Sequence, residues 1–179
     1  DKGQYDTSME IFWSSGACMM IRNKLFKKLG GFDESFYAHM EEIDLCWRIK
    51  RLGLKNFCFP KSKVYHVGGG TLNYNNPKKT FLNFRNNLVM VAKNESLMSL
   101  IIKLPMRLFL DFIASFYLLI KNKSLLHFLE VIKAYISFIF MFPKLLFSKK
   151  KTKNNSIKIN KSIIPIEYYL RGKKRFSDL

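Results

Sequence analysis

Three carboxylates lie close together at the start of one predicted helix. Glu41, Glu42 and Asp44 fall within the segment GGFDESFYAHMEEIDLCWRIKRLG, between two apolar flanks. A carboxylate that faces a cleft can act as a general base, while its neighbours position a hydroxyl or hold a cation. The same residues also suit a structural role, because acidic groups favour a helix N-terminus and Asp44 stands four residues before Arg48. Spacing alone leaves both interpretations open.

A second group with possible chemistry follows in the segment VYHVGGGT. His66 precedes Gly68, Gly69 and Gly70, and glycines let backbone N–H groups approach phosphate oxygens closely. A glycine triplet is a weak signal alone, and a single histidine at a strand end is more often a structural residue. The acidic helix that precedes this segment is what makes it a candidate site.

The elements that position these groups follow from the hydrophobic pattern. Residues 11–22 read IFWSSGACMMIR, which predicts a buried strand whose Gly16 and Ala17 admit another backbone or a ligand. Asn23 is the predicted cap of a short helix that ends at the glycine pair 30–31.

The acidic helix is expected after a loop over residues 32–38. The segment MEEIDLCWRIKRLG has helical spacing and is expected to end at Gly53. NFCFP and KVYHV predict two short strands around a turn at Pro60, and a longer helix is predicted from about Pro77 to Asn94.

The region from 97 to 147 is rich in Leu, Ile and Phe but is interrupted by charges. This pattern predicts amphipathic helices at about 105–121 and 125–142, lying in a membrane interface with lysines that reach the headgroups. A pair of imperfect spanning helices is the alternative. The interrupting residues are Lys103, Arg107, Asp111, Lys121, Lys123, Glu130 and Lys133.

Composition limits the classes of protein that fit. The 179 residues are 48% hydrophobic, which excludes disorder of the whole chain. The net charge of +18 predicts an anionic partner, and residues 101–179 contribute +12 of it. The last stretch of this region is a basic tail that suits anionic lipid. The three cysteines, Cys18, Cys46 and Cys58, are predicted to be reduced packing residues.

The motifs SGACMMIR, LGGFDESFYAHMEEIDLCWRIKRLG, VYHVGGGT and FRNNLVMVAKN occur in this order. Over about residues 11–95 the chain resembles the second half of the catalytic domain of family 2 glycosyltransferases, in particular the rhamnosyltransferase-like branch. The resemblance implies an α/β fold, a partial GT-A-type (Rossmann-like) domain. The expected organisation is an acceptor-side half over 1–95, amphipathic membrane-associated helices over 96–147 and a basic tail over 148–179.

The resemblance also implies roles for single residues. Glu41 and Glu42 correspond to the family's Glu-Asp pair, which supplies the base of an inverting transfer from a nucleotide-sugar, and Glu42 stands where Asp is more common. Asp44 and Arg48 match recurrent polar positions of this helix that position the acceptor, and Trp47 is expected to pack behind the acceptor site. The residues implied to lie near the diphosphate or a metal ion are His66, Gly68, Gly69, Gly70 and Arg85, with His66 a possible metal ligand. Asn86 completes an Arg-Asn pair that suits a structural role equally well.

One family motif is absent from these 179 residues. The nucleotide-binding half carries an Asp-x-Asp motif for Mg²⁺ or Mn²⁺ and the donor diphosphate, and this sequence contains none. We therefore expect that half to precede the sequence, and we expect the 179 residues alone to be inactive. The basic, apolar C-terminal region is expected to hold the complete enzyme at the cytoplasmic face of the inner membrane, as a peripheral protein or with one or two spanning helices. Its acceptor is then a glycan or a lipid-linked sugar.

Two rival interpretations come from other classes of protein. A non-catalytic membrane-surface module would use only the C-terminal helices. A nucleic-acid binder is suggested by charge alone, but no reader helix or stacking sheet is recognisable, so no nucleic-acid partner is expected. The aromatic and imidazole side chains that suit an acceptor subsite, or packing equally well, are Phe36, Tyr37, His39 and Tyr74.

Overall fold

The computed structural model describes residues 3, 5–67, 73, 75–122, 124–148 and 171–172. This part of the chain is mostly helical, with one small sheet. The elements are β1 (Met9–Ile11), α1 (Asn23–Leu29), α2 (Glu41–Arg51), β2 (Asn56–Cys58), α3 (Pro77–Asn94), α4 (Leu97–Asn122) and α5 (Leu125–Ser148), with one-turn 3-10 helices at Gly16–Cys18 and Glu34–Phe36. The glycine triplet 68–70, Tyr74 and most of the predicted tail lie outside the described residues.

The sheet consists of β1 and β2, which pair antiparallel with Glu10 opposite Phe57. The strand predicted over 11–22 is wrong, because only Met9–Ile11 is extended and paired. The serines of this segment favour local turns over a ladder: the Ser15 hydroxyl accepts the Ala17 N–H at 3.3 Å and begins a 3-10 helix. The second strand predicted around Pro60 is also not formed over the described residues 63–67.

Helices α1, α2 and α3 confirm the predicted positions. Gly30 ends α1 in the left-handed conformation, with φ of 81°, as its place after the last apolar residue indicated. Asn76 caps α3 by accepting the Lys78 N–H at 2.9 Å, and Pro77 occupies the first turn. Asn23 is the first residue of α1 rather than its cap.

Helices α4 and α5 exist but are longer than predicted. The predicted bounds were about 105–121 and 125–142, and each helix contains one proline, Pro105 or Pro143. In the structure α4 begins eight residues earlier, at Leu97, and α5 continues past Pro143 to Ser148. An apolar face that packs against neighbouring elements outweighs the backbone hydrogen bond that each proline removes.

One hydrophobic cluster joins α2, α3 and α5 and the loop before α2. Because it includes side chains from both sides of residue 95, the C-terminal helices share one core with the elements that precede them. Its buried members are Phe36, Trp47, Leu88, Val89, Met90, Ala92, Phe138 and Leu145. This packing fixes α2 against α3.

Several charges that interrupt the apolar C-terminal region form ion pairs. Arg107 pairs with Asp111 at 2.8 Å, and Lys133 pairs with Glu130 at 2.7 Å. Asp111 is buried and faces inward, so α4 keeps an apolar outer face despite its charges.

The three cysteines carry free thiols. Cys46 is buried in α2, as expected of a packing residue, and Cys58 is partly buried in β2. Cys18 is exposed, so the prediction that it packs is wrong. It lies in the exposed 3-10 turn rather than in the expected buried strand.

Candidate functional site

The start of α2 collects polar atoms that are buried and have no hydrogen-bond partner among the described residues. They are Oε2 of Glu41, Oε2 of Glu42 and Nε2 of His39. Buried polar atoms in proteins are nearly always paired, so unpaired ones mark a place where a ligand or water belongs. Gly16 lies beside Glu42, because a Cβ built on it would stand 3.8 Å from Cβ of Glu42. The SGAC segment and the acidic helix therefore meet at Glu42.

Burial raises the pKa of the Glu42 carboxyl above its ordinary value of 4.5. Backbone N–H groups at the helix start and the charge of His39 act in the opposite direction, while the Glu41 carboxylate adds to the rise. A carboxylate that is partly stripped of water and has a raised pKa is a stronger base than an exposed one. Glu42 thus has the electrostatic setting that proton abstraction requires.

The loop that leads into α2 is strained. Tyr37, His39 and Met40 have φ of 61°, 70° and 77°, in the left-handed region that residues other than glycine rarely adopt. Such conformations cost of order 1–3 kcal/mol each and persist where surrounding contacts impose them, often at functional sites. This loop places the His39 imidazole near the Glu42 carboxyl.

Arg85 contacts this loop from α3. Its Nε donates to the Asn86 side-chain oxygen at 2.8 Å, and Nη2 donates to the carbonyl of Ser35 at 2.9 Å. Its guanidinium also lies 5.2 Å from the centre of the Phe81 ring. Arg85 therefore binds protein groups beside the site, and its expected proximity to a diphosphate stays a prediction.

Asp44 and Arg48 connect α2 to its neighbours. Arg48 donates to Asp44 and to the carbonyls of Leu29 and Gly31, each at 2.8 Å. The other Asp44 oxygen accepts from the Asn94 amide at 2.7 Å. All of these contacts are within the protein, which favours a positioning role over direct contact with an acceptor.

Trp47 and Phe36 belong to the core behind the site. Trp47 stacks edge to face on Phe12, with ring centres 5.3 Å apart, and this contact joins α2 to the chain that follows β1. Phe36 is completely buried, so its ring packs rather than lines an acceptor subsite. Tyr37 is exposed beside it, with Lys78 Nζ 4.7 Å from its ring centre.

A family model described as glycosyltransferase-like family 2 matches residues 3–109, which is well over half of the chain. The chain belongs to this family. The matched range contains Gly16, Glu42, His66 and Arg85, so the motifs on which the resemblance was based lie inside it.

Three curated proteins that are similar to this chain are named as sugar transferases. The N-acetylglucosaminyl-diphospho-decaprenol L-rhamnosyltransferase of Mycobacterium tuberculosis is 37% identical over 56 residues, 31% of this chain and 18% of the relative. Rhamnosyltransferase WbbL of Escherichia coli is 32% identical over 56 residues, 31% and 21% of the two chains. The low-salt glycan biosynthesis hexosyltransferase Agl10 of Haloferax volcanii is 29% identical over 72 residues, 40% and 24%.

The matched segments thus span only about a fifth to a quarter of these relatives' own length. No solved structure gives a significant match. The family implies a GT-A fold, of which the described residues of the glycosyltransferase contain a helical part and a two-stranded sheet.

The family also implies a divalent cation, but the described residues contain no group of three or more His, Cys, Asp and Glu side chains placed to hold one. Glu41 and Glu42 offer two unpaired oxygens, whereas a hard cation takes about six oxygen ligands. His66 is exposed, and it contributes to no such group. The described residues do not form a metal site by themselves.

Two features of the site escaped the sequence analysis. The left-handed loop conformation has no signature in the sequence, because Tyr37, His39 and Met40 are not glycines. The inward position of Asn94 is predictable from its spacing on α3. Asn86, Met90 and Asn94 recur every four residues on α3, and all three are buried.

Proposed function

We propose that the complete enzyme transfers a sugar from a nucleotide-sugar donor to a glycan or lipid-linked acceptor, with inversion at the anomeric carbon and with Glu42 as the general base. The observation that carries this proposal is the buried, unpaired oxygen of Glu42, a residue whose Cβ lies beside Gly16 and whose carboxyl interacts electrostatically with His39. The relatives named above, two of them rhamnosyltransferases, support L-rhamnose as the first donor sugar to test.

The reaction follows from the position of this base. Glu42 takes the proton of an acceptor hydroxyl as that oxygen forms a bond to the anomeric carbon. The bond from the anomeric carbon to the diphosphate breaks on the opposite face, and its electron pair leaves with the nucleoside diphosphate. Glu41 and His39, whose buried atoms also lack partners, orient the acceptor hydroxyl by hydrogen bonds.

The test uses the full-length protein in membranes. Labelled nucleoside-diphosphate sugars, including L-rhamnose, are offered with an N-acetylglucosaminyl-diphospho-polyprenol acceptor, and the anomeric configuration of the product is determined. We expect one donor to give a glycosidic bond of inverted configuration. Retention of configuration would contradict the base mechanism, and absence of transfer from every donor would contradict the function.

Residues 1–179 alone are expected to release no sugar from any of these donors. The reason is that the donor diphosphate is held, in this proposal, by the half that carries the Asp-x-Asp motif. Sugar release by the purified 179-residue chain would show that this part has its own donor site.

The exposed surface around β1 and β2 indicates that a further half of the catalytic domain packs against it. A two-stranded sheet is marginal alone, and many apolar side chains near it face outward. The exposed ones are Met9, Trp13, Met20, Phe57, Phe59, Val64, Tyr65 and Val67. We infer that the nucleotide-binding half covers this surface.

The pH dependence of the enzyme follows from Glu42. Because burial raises its pKa above 4.5, the basic form appears only at higher pH than for an exposed glutamate. We expect kcat/KM to rise with pH through this raised pKa. Folding stability is expected to change the opposite way, since the folded state resists ionisation and loses stability as pH rises from 4.5 through the raised pKa. Glu42→Gln is expected to remove both effects, measured by rate profiles and by thermal unfolding against pH.

Helix α5 is the part of the described chain with the length and composition to cross a membrane, over Leu125–Phe147, and only 17% of that stretch is buried inside the protein. One face of α5 nevertheless packs into the core through Phe138 and Leu145. Spanning would draw α3, with its buried Asn86 and Asn94, toward hydrocarbon, at a high cost for polar groups. We therefore favour α5 lying in the interface of the inner membrane, on its cytoplasmic side.

The outer face of α5 is expected to bind vesicles that contain phosphatidylglycerol. Ile136, Phe140 and Phe147 are exposed on it, and Lys133 and Lys144 lie among them. The double variant Ile136→Ser/Phe140→Ser should weaken binding at least about tenfold, since each large apolar side chain contributes roughly 1.5–3 kcal/mol when buried. Sedimentation with vesicles measures this. Leu54→Ser, at an exposed leucine between α2 and β2, is the control and should bind like the wild type.

A further inference from the structure

Two consecutive residues of α3, Arg85 and Asn86, donate hydrogen bonds to the strained loop. The fully buried Asn86 amide nitrogen donates to the carbonyls of Phe36 at 2.7 Å, Ala38 at 2.7 Å and His39 at 3.0 Å. An amide has only two N–H groups, so one of them is shared between two carbonyls. Three of the four carbonyls between Phe36 and His39 therefore accept from one side chain.

Arg85 fixes the orientation of that amide. A guanidinium only donates hydrogen bonds, so the Asn86 atom that faces Arg85 Nε at 2.8 Å must be the oxygen. The NH₂ group then points to the loop. Arg85 also donates to the carbonyls of Ser35 and Phe36, at 2.9 and 3.4 Å, which extends the same contact one residue toward the N-terminus.

Ordinary core packing does not require this arrangement. An apolar side chain in place of Asn86 would fill the volume but would leave three carbonyls without its hydrogen bonds. The loop backbone would then relax from its left-handed conformation, since nothing else described donates to Ala38 and His39 from another element. This relaxation would move the loop atoms next to Glu42, the proposed base.

We propose that Arg85 and Asn86 are positioning residues that hold the loop Phe36–Met40 so that the His39 imidazole and the Glu42 carboxylate face the same acceptor hydroxyl. This role rests on the function proposed above. It differs from the diphosphate contact that the family resemblance implied for Arg85, because both residues act through the loop.

The test compares Asn86→Ala and Arg85→Lys with Asn83→Ala in the full-length protein. Asn83 is on the same helix and its side chain makes no hydrogen bond among the described residues, so it is the matched control. Hydrogen exchange follows the hydrogen-bonded amides of Phe36, Tyr37 and Ala38. We expect exchange to accelerate about tenfold in Asn86→Ala, as loss of hydrogen bonds worth about 1 kcal/mol or more predicts. Asn83→Ala should exchange like the wild type.

Turnover provides the second measurement. Misplacement of a catalytic group by about 1 Å can cost about 100-fold, so kcat should fall by that order in Asn86→Ala while the donor KM stays within about twofold. The acid limb of the rate profile should also move to lower pH, because a released loop lets water reach Glu42. Should Asn86→Ala fail to fold, Arg85→Lys carries the test with smaller changes in the same directions.

The outcomes separate the two proposals. Unchanged loop exchange and unchanged kcat in both variants would overturn the positioning role even if Glu42 is the base. Accelerated loop exchange without transfer by the wild-type enzyme would overturn the proposed function and leave the hold on the loop established. A raised donor KM with unchanged kcat in Arg85→Lys would instead favour diphosphate contact and overturn the proposal for that residue.

Discussion

Glu42→Gln in the full-length glycosyltransferase is expected to lower kcat by about 10²–10⁴-fold, the usual contribution of general-base catalysis. Glutamine keeps the size of the side chain but cannot accept the proton of the acceptor hydroxyl. Because the unpaired Glu42 oxygen has no partner within the described protein, the substitution breaks no recorded contact of that atom. Steady-state transfer of labelled sugar measures the effect, and circular dichroism checks the fold.

The matched control for this experiment is Glu34→Gln. Glu34 is an exposed glutamate in the 3-10 helix a few residues before α2, so it tests loss of a negative charge without loss of the base. Its kcat should stay within about twofold of the wild type, as for surface substitutions in general. Turnover of Glu42→Gln at nearly the wild-type rate would assign the base to another group, with Glu41 the first to test.

Asp44→Asn is expected to lower the free energy of unfolding by about 3–5 kcal/mol, the usual loss when one partner of a buried ion pair is removed. The Asp44 side chain is only 1% exposed and pairs with Arg48 at 2.8 Å. Asparagine fits the space but leaves the Arg48 guanidinium half-buried without its counter-charge. Since Arg48 also holds the carbonyls of Leu29 and Gly31, the contact between α1 and α2 should loosen as well.

Lys55→Ala is the control for the loss of an ion pair. Lys55 pairs with Glu10 at 3.2 Å, but its side chain is 64% exposed, so water replaces the contact at little cost. Its removal should change stability by less than about 1 kcal/mol. Denaturant unfolding of the full-length protein measures both variants, and equal small losses in the two would show that the Asp44 network contributes no special stability.

The two expected effects come from neighbouring carboxylates on one helix. Residues two apart on an α-helix point about 200° away from each other. Glu42 therefore faces Gly16 and the site, whereas Asp44 faces Arg48 and Asn94 in the interior. The sequence analysis left open whether the acidic cluster is catalytic or structural. In the structure the Asp44 carboxylate bonds to Arg48 and Asn94, which is a structural role. Glu42 keeps an unpaired oxygen, which supports the catalytic role proposed for it.

The sequence by itself determined the family, the positions of α1, α2 and α3, and the carboxylates worth testing. These depend on local signals: a glycine that can adopt positive φ, an asparagine cap before Pro77, and apolar residues at helical spacing. The strand predicted over residues 11–22 is wrong, because a run of apolar and small residues does not reveal whether a partner strand exists. Among the described residues β1 has one partner, β2, for three residues only.

Only the tertiary structure decided what surrounds Glu42. The left-handed loop of Tyr37, His39 and Met40 is imposed by hydrogen bonds from Asn86, about fifty residues later in the chain, and no local preference predicts it. The lengths of α4 and α5 were decided in the same way, because packing against α3 outweighed the prolines. Local propensity is worth tenths of a kcal/mol per residue, whereas burial and hydrogen bonding between distant elements contribute several kcal/mol, and the larger contribution determined the conformation.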